Sequence, residues 1–560
     1  MSKRMELDAA LAAHVEPKMS VHITTQARAA TRALQRLFHG QALDLTLIIG
    51  RVGGGHAADL VASGIVRHVV AGSYGAVSRL YTGKLRQVEK AHAGGGVTFQ
   101  QWSFWTLIQR LMAAAQGQPY ALTHSLAGSS MARDNPADYR EAPDPFGSGA
   151  KVGMVRALHP DLAILHVLAA DEDGNAILVP PMEEGAWGAK ASRGGAIVTA
   201  EKLVSREFVR RHSHLVRLPS RYVRAVCHVP FGAHPGAFGT AGIDGLDGYA
   251  EDEAFNAAYF EGTRDPAALS RWTQRWITGL RDHAEYLDRL GPARLASLRP
   301  RPTPARVTAV QAAAPTEDRI SVTDNELLMT LALREVMRRA IESSCDVLMV
   351  GAGLSEVPAT AAYCLLREQG RDVYLTMGHG YFGFEPVAGR SDPDPATATM
   401  ITDAPEIYGV VLGGRPGGSL AILGAAQVDR QGNLNSTLVD GKLLIGSGGS
   451  NDASAVCQTL VVTRTAKRKL VERVEYVTCA GTRVRAVITE RGVFEKSEGN
   501  DDLLLTRYVD PQGVGRNAAL AELAGRCGWP LAVSDALVCE APPSAAELEI
   551  IRRLMPSRYE

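Results

Sequence analysis

The sequence predicts an α/β protein made of two similar open α/β domains, and three features carry that prediction. Short apolar runs bounded by glycine turns alternate with helical stretches. A segment rich in Pro, Ala and Arg divides the chain. A strand–turn–strand signature then recurs on both sides of that division. At 560 residues the chain is longer than one hydrophobic core supports, which fits a fused or duplicated architecture.

The first series of buried strands runs from about Asp44 to His234, with LTLIIG (45–50), DLAILHVLAA (161–170), GAIVTA (195–200) and VRAVCHVPFG (223–232) as its clearest members. A helical block follows from Asp252 to Leu290, where WTQRWITGLRDHAEYLDRL spaces its apolar residues for one helix face. The stretch 290–319 has no sustained period and reads as an extended linker. The expected domains are therefore 1–290 and 320–560, with 291–319 as the linker. A helix over Asp324–Ser343 and the strand DVLMVGAG (346–353) open the second series. Duplication is read from one spacing: AIL at Ala163 precedes Asp171 and Gly174-Asn175 just as AIL at Ala421 precedes Asp429 and Gly432-Asn433.

Composition limits the partners. Sixty basic and sixty acidic side chains balance, so no global field favours nucleic acid or an anionic membrane. The seven cysteines are scattered, without CxxC or zinc-type spacing, which reads as a reduced, cytoplasmic protein. The start MSKRMELDAALAAHV lacks a long apolar region, and no later run approaches the roughly 20 apolar residues of a membrane span.

Several glycine turns suit ligand binding. Gly351 and Gly353 end a buried strand ahead of a helix, where backbone amides meet an anion or a developing oxyanion. The loop GSGGSND (446–452) offers successive N–H groups for a phosphate or a carboxylate, or serves as a tight turn alone. Neither Gly53–Gly55 nor Gly94–Gly96 completes a dinucleotide or P-loop fingerprint, which sets NAD and ATP aside.

In the first half DLTLIIGRVGGG (44–55), FGAHPGAFG (231–239) and RWITGLRDHAEYLDRLG (275–291) resemble the α subunit of the glutaconate-type, family I CoA-transferases. In the second, MVGAGLSEVPA (349–359), LGAAQVDRQGNLNST (423–437), LIGSGGSNDA (444–453), RVEYVTCAG (473–481) and CEAPPSAAELEIIRRLMP (539–556) resemble the β subunit. The resemblance implies fused subunits whose two domains face each other across a cleft. It further implies an acyl-CoA or related thioester as substrate, coenzyme A entering only as part of that substrate with no tightly bound cofactor or metal, and a homodimer. On this basis the substrate-binding residues are Gly351, Gly353, Gly378, Ala425, Ala426, Gln427, Gly448, Gly449, Asn451 and His56.

The catalytic signature of that family is absent. Its members attack the thioester with a glutamate carboxylate that begins a Glu-x-Gly segment after a β-half strand. In VYLTMGHGYFGFEP (373–386) the matching residue is Gly378. A related branch that hydrolyses ring-containing acyl-CoA esters in steroid breakdown uses an α-half carboxylate instead, and the corresponding position here is Gln101. The early Gly-Gly-Phe turn is also replaced, by SVHITTQARAA (20–30).

Candidates for the missing chemistry are His379 as a base that activates water, Glu385 or Glu356 as a displaced carboxylate, and Gln101 as an orienting amide. Each has a bland counterpart: a loop histidine, a surface carboxylate, a helix-start acid, a polar helix-start residue. The leading functional expectation is hydrolysis of an acyl-CoA, at the thioester or at an activated C–C bond. The alternatives are a CoA-transferase with a displaced carboxylate and a ligand-binding pseudoenzyme.

Overall fold

The computed structural model describes residues 2–52, 57–75, 92, 94–239, 242–299, 322–387, 393, 395–415, 417–496 and 501–555. Two compact units are present. One comprises Met1–Thr123, Asp134–Pro302 and Lys442–Gly448, the other His124–Arg133, Thr303–Gly441 and Gly449–Glu560. Backbone pairing explains the two short insertions. Tyr74 N donates to Ile445 O at 2.8 Å and Gly448 N to Gly72 O at 2.8 Å in the first unit, while Ser130 N donates to Val477 O at 2.8 Å in the second. Of the expected linker, 291–299 includes the short helix Pro292–Ser297, and 300–319 lies outside the described residues. His56 and Gly53–Gly55 also lie outside them.

The first unit is built on a nine-stranded sheet whose parallel members run in the order Val223–His228, Ala196–Leu203, Leu162–Ala170, Ser20–Ile23, Leu45–Arg51, Val66–Ser73 and Thr98–Gln101. Leu162–Ala170 is buried along its whole length. Leu162 and Ile164 enter one hydrophobic core, whereas Ala163, Leu165 and Val167 enter another. A strand covered on both faces has no polar side to show, so it reads as a continuous apolar run rather than an alternation.

The second unit has a ten-stranded sheet whose parallel core runs Val484–Thr489, Gln458–Val462, Ser419–Gly424, Val347–Val350 and Tyr374–Met377. This is the order of the five corresponding strands in the first unit. The duplication extends to details that the sequence spacing only suggested. The pairing slips by one residue between Ala196 and Ile197 in one unit and between Thr459 and Leu460 in the other. Asp171 accepts hydrogen bonds from the backbone of Asp173, Gly174 and Asn175, as Asp429 does from Gln431 and Asn433. The two asparagines then brace the start of the fifth strand, Asn175 accepting from Ser220 N at 3.0 Å and Asn433 from Gly481 N at 2.8 Å.

The strand order places a topological switch between the first and third strands of each unit, the position outside which ligands bind in open parallel sheets. In the second unit that is the carboxyl edge of Val347–Val350 and Ser419–Gly424. Among the described residues no helix is long and apolar enough to cross a membrane.

Candidate functional site

At the switch point of the second unit the first strand stops at Gly351. Its N–H donates to Ile422 O at 2.9 Å. A Cβ on Gly351 would stand 2.5 Å from that carbonyl, so glycine is required for the two backbones to approach. Gly353 takes φ +101°, and Ser355 Oγ closes the turn onto Gly351 O at 2.9 Å. The helix Glu356–Glu368 begins there. Sequence alone leaves its first amides open to an anion, but the chain supplies its own: Glu356 Oε1 accepts from Gly353 N at 2.9 Å.

Beside this turn the third strand ends at Gly424, and Ala425, Ala426 and Gln427 follow, all half-buried. Ala426 N donates to Asn435 O at 3.1 Å. Gln427 Oε1 accepts from Asn435 Nδ2 at 3.0 Å, which holds its side chain across the local hairpin. Asn451 is a brace, accepting from Leu126 N and donating to Thr478 O, each at 2.9 Å. Gly448, at φ +50°, belongs to the first unit and Gly449 to the second.

The strand Tyr374–Met377 leads into the turn Gly378–Gly380, closed by Gly380 N donating to Met377 O at 3.1 Å. The hairpin then runs back along the same strand, with Met377 opposite Tyr381 and Thr376 opposite Phe382. His379 stays half-buried at the turn with its ring edge-on to Tyr381, centroids 5.4 Å apart. Glu385 is carried away from Gly378 by the returning strand, and its carboxylate accepts from Tyr363 Oη at 3.0 Å. His379 and Gly378 therefore adjoin, whereas Glu385 lies farther back along the sheet.

Sequence reasoning missed what fills the space at Gly378. A Cβ there would overlap Tyr408 Oη, far inside the 3.0 Å that real Cβ atoms keep, and a Cβ on Gly449 would overlap the same oxygen. Tyr408 is 5% exposed and sits on the π-helix Pro405–Leu412, where Gly413 N donates to Tyr408 O at 3.1 Å across five residues. Short π segments are frequent at functional sites, and this one runs for eight residues. The only sequence signal was indirect, namely two glycines distant in the chain that each need a bare α-carbon.

The duplication gives Gly378 a counterpart. Ser20 pairs with Thr46 as Val347 pairs with Tyr374, and Thr24 N donates to Ile164 O as Gly351 N does to Ile422 O. Counting along these registers sets Thr24 against Gly351 and Gly50 against Gly378. Gly50 is also pressed by a polar group, since an added Cβ would stand 2.8 Å from Glu184 Oε2. Gly50 N donates to Glu184 Oε1 at 2.9 Å. Glu184 caps the helix Gly185–Ala191 ahead of the fourth strand, as Gly449 caps the helix Ser450–Val456.

Glu184 is completely buried, and burial followed by the charge of Glu183 pushes its carboxyl up to about 8. His22 lies with Nε2 3.9 Å from Glu184 Oε1, and burial pushes it down to about 4. The proximity suggests an ion pair, yet both groups shift toward their neutral forms, and we read a neutral contact. Glu183 instead meets Arg51 at 2.7 Å and Thr25 Oγ1 at 3.0 Å. Gln101 ends the strand Thr98–Gln101, buried, with Nε2 2.9 Å from where a Cβ on Gly446 would stand. Its backbone carbonyl accepts from Asn135 Nδ2 at 2.9 Å.

This architecture is that of the CoA-transferase fold. The acyl-CoA transferase YdiF of Escherichia coli O157:H7 shares it with a TM-score of 0.63 across 99% of this chain and 98% of that one, at 17% identity. The coenzyme A transferase family model matches residues 4–228. The A-type subunit of glutaconate CoA-transferase from Acidaminococcus fermentans is 28% identical over 323 residues, 53% of this chain and 95% of that protein. The B-type subunit of 3-oxoadipate CoA-transferase from Pseudomonas knackmussii is 27% identical over 256 residues, 41% of this chain and 92% of that one. The chain is thus similar to coenzyme A transferases in both halves, with a stretch resembling each of the two subunit types in one polypeptide.

Proposed function

We propose that the chain hydrolyses an acyl-coenzyme A, with water in place of a protein carboxylate as the attacking group. One observation carries the reading: the backbone point where the resemblance puts a nucleophilic glutamate is Gly378, and the volume its side chain would enter holds the Tyr408 hydroxyl. A glycine cannot accept an acyl group, and the turn has no room for a larger residue while Tyr408 stands there. His379, next in the chain and half-buried, is the base assigned to the water. The attacking oxygen bonds to the thioester carbonyl carbon, the C–S bond breaks, the thiolate takes up the proton, and a carboxylic acid and CoA leave. An activated C–C bond in the acyl group is the other target of the same water. The turns at Gly351–Gly353 and Ala425–Gln427, together with Gly448, Gly449 and Asn451, are assigned to substrate binding, and Gln101 to orientation of the acyl group. The proposal extends to a homodimer in the cytoplasm, organised as 1–290, linker 291–319 and 320–560.

The test is a steady-state assay over an acyl-CoA panel with and without acetate. Release of free CoA at the same rate in both supports hydrolysis, and exchange that requires the acceptor refutes it.

A second reading is favoured by Glu356. Its buried carboxylate sits at the Gly351–Gly353 turn, so CoA transfer through this residue is the alternative. It predicts a glutamyl thioester on Glu356, trapped by hydroxylamine or borohydride and located by mass spectrometry. Unmodified protein after acyl-CoA incubation rejects it.

A further inference from the structure

From the placement of its hydroxyl we infer that Tyr408 is the hydrogen-bond donor to the acyl carbonyl of the bound thioester, a catalytic role in the hydrolysis proposed above, on which this inference rests. Four observations converge on it. The hydroxyl stands at the carboxyl end of Tyr374–Met377, the outermost strand of the parallel core, which lies beside the strand that ends in the switch-point turn where open sheets place ligands. It is lodged against two bare α-carbons, Gly378 and Gly449, on either of which a Cβ would overlap it. The ring is 5% exposed and is carried by a π-helix whose wider turn sets the direction of the side chain. The duplicated position in the first unit, Gly50, also receives a buried polar group rather than an apolar one, the Glu184 carboxyl.

A phenol at this point supplies what the hydrolytic step needs. As water adds to the carbonyl carbon, the oxygen gains negative charge. A fixed O–H donor in a water-poor site lowers the energy of that oxyanion more than that of the substrate carbonyl. No proton has to leave Tyr408, because the hydrogen bond alone strengthens as charge develops. When the C–S bond breaks, the carbonyl re-forms and the phenol is unchanged.

Tyr408→Phe keeps the ring and removes only the hydroxyl. The expected result is a fall in kcat of about 100-fold, the usual loss for one oxyanion donor. KM for the acyl-CoA and the calorimetric affinity for a non-hydrolysable CoA thioether should stay within about threefold. Gly378→Ala displaces the hydroxyl from the other side and should lower kcat comparably. The double variant should be no worse than the poorer single one, since both remove the same interaction.

A kcat for Tyr408→Phe within threefold of wild type overturns the inference. So does a kcat loss matched by equal loss of thioether affinity, or strictly additive losses in the double variant. Thermal melting of Tyr408→Phe near wild type excludes misfolding as the cause. If the wild type releases CoA only in the presence of a carboxylate acceptor, hydrolysis fails as a reading. Tyr408 is then judged by the same substitutions on the transfer rate, where a 100-fold loss still supports it and an unchanged rate refutes it.

Discussion

Glu184→Gln isolates one buried acid in the first unit. Glu184 is completely buried, with its carboxyl raised from the ordinary 4.5 to about 8 by desolvation and then by Glu183. The folded chain therefore binds a proton that the unfolded chain releases. The stability tied to that proton is complete below about 4.5, declines as pH rises, and is gone above the folded value of about 8. At about 1.4 kcal/mol for each tenfold change in proton affinity, the decline is on the order of 5 kcal/mol, shared with the neighbouring Glu183. Glutamine keeps the acceptor for Gly50 N and titrates nowhere. Guanidinium unfolding of wild type and variant at pH 5.5 and pH 8.5 should show the variant gaining several kcal/mol on wild type at the higher pH. His22, held down to about 4, is neutral in the folded state at both pH values and cancels in the difference, as does Arg51. An offset between the two proteins that is the same at both pH values within about 0.5 kcal/mol would refute a buried protonated Glu184.

Gly378→Glu should restore no glutamyl-CoA adduct and should destabilise the fold by about 1–3 kcal/mol, because its Cβ overlaps Tyr408; adding Tyr408→Ala should recover stability, and thermal melting of both proteins with intact-mass analysis after acyl-CoA treatment decides it. Asp171→Ala and Asp429→Ala should each cost roughly 3 kcal/mol, since both carboxylates collect several backbone N–H donors in a buried turn; denaturant melts showing under about 1 kcal/mol for either would show that the turn closes without it. A limiting dose of iodoacetamide should label the exposed Cys539 first, whereas burial holds Cys227, Cys364 and Cys457 near 12; peptide mapping that finds a buried thiol modified first contradicts the burial.

Strands and turns were legible because their determinants are local. An apolar run such as 161–170 between turn residues specifies a buried strand, and Asp171 with Asn175 specifies a turn closed by its own side chains. The AIL–Asp–Gly-Asn spacing therefore exposes the duplication from sequence alone. Of the candidate site, what was legible is the turn at Gly351 and Gly353, where the close backbone approach and the positive φ call for glycine. The group facing Gly378 was not, since Tyr408 is thirty residues away in a segment, PEIYGVVL, whose π-helical winding leaves no periodic mark. Glu184 was equally hidden. Nothing local separates a buried carboxyl beside His22 from an ordinary acid at a helix start; only the return of the chain past Gly50 makes the difference. Glu385 illustrates the converse. Seven residues from Gly378 reads as near, but a hairpin converts sequence proximity into distance along the sheet.

The two repeats answer one geometric demand in different chemistry. At the second strand of each, glycine leaves a bare α-carbon, and a polar group from elsewhere in the unit fills the space: a carboxyl at Gly50, a phenol at Gly378. The helix ahead of the fourth strand supplies that group in the first unit, through Glu184 at its cap. In the second unit the equivalent cap is Gly449, whose missing side chain makes room for Tyr408 to arrive from the π-helix. The exchange is reciprocal, because an acid at 449 and a tyrosine at 408 cannot occupy the same volume. Gly449→Glu should therefore expel the Tyr408 hydroxyl and abolish activity even though it imports the carboxyl found in the sister repeat. Activity retained within threefold in Gly449→Glu, with the fold intact by melting, would mean that neither glycine exists to receive the phenol.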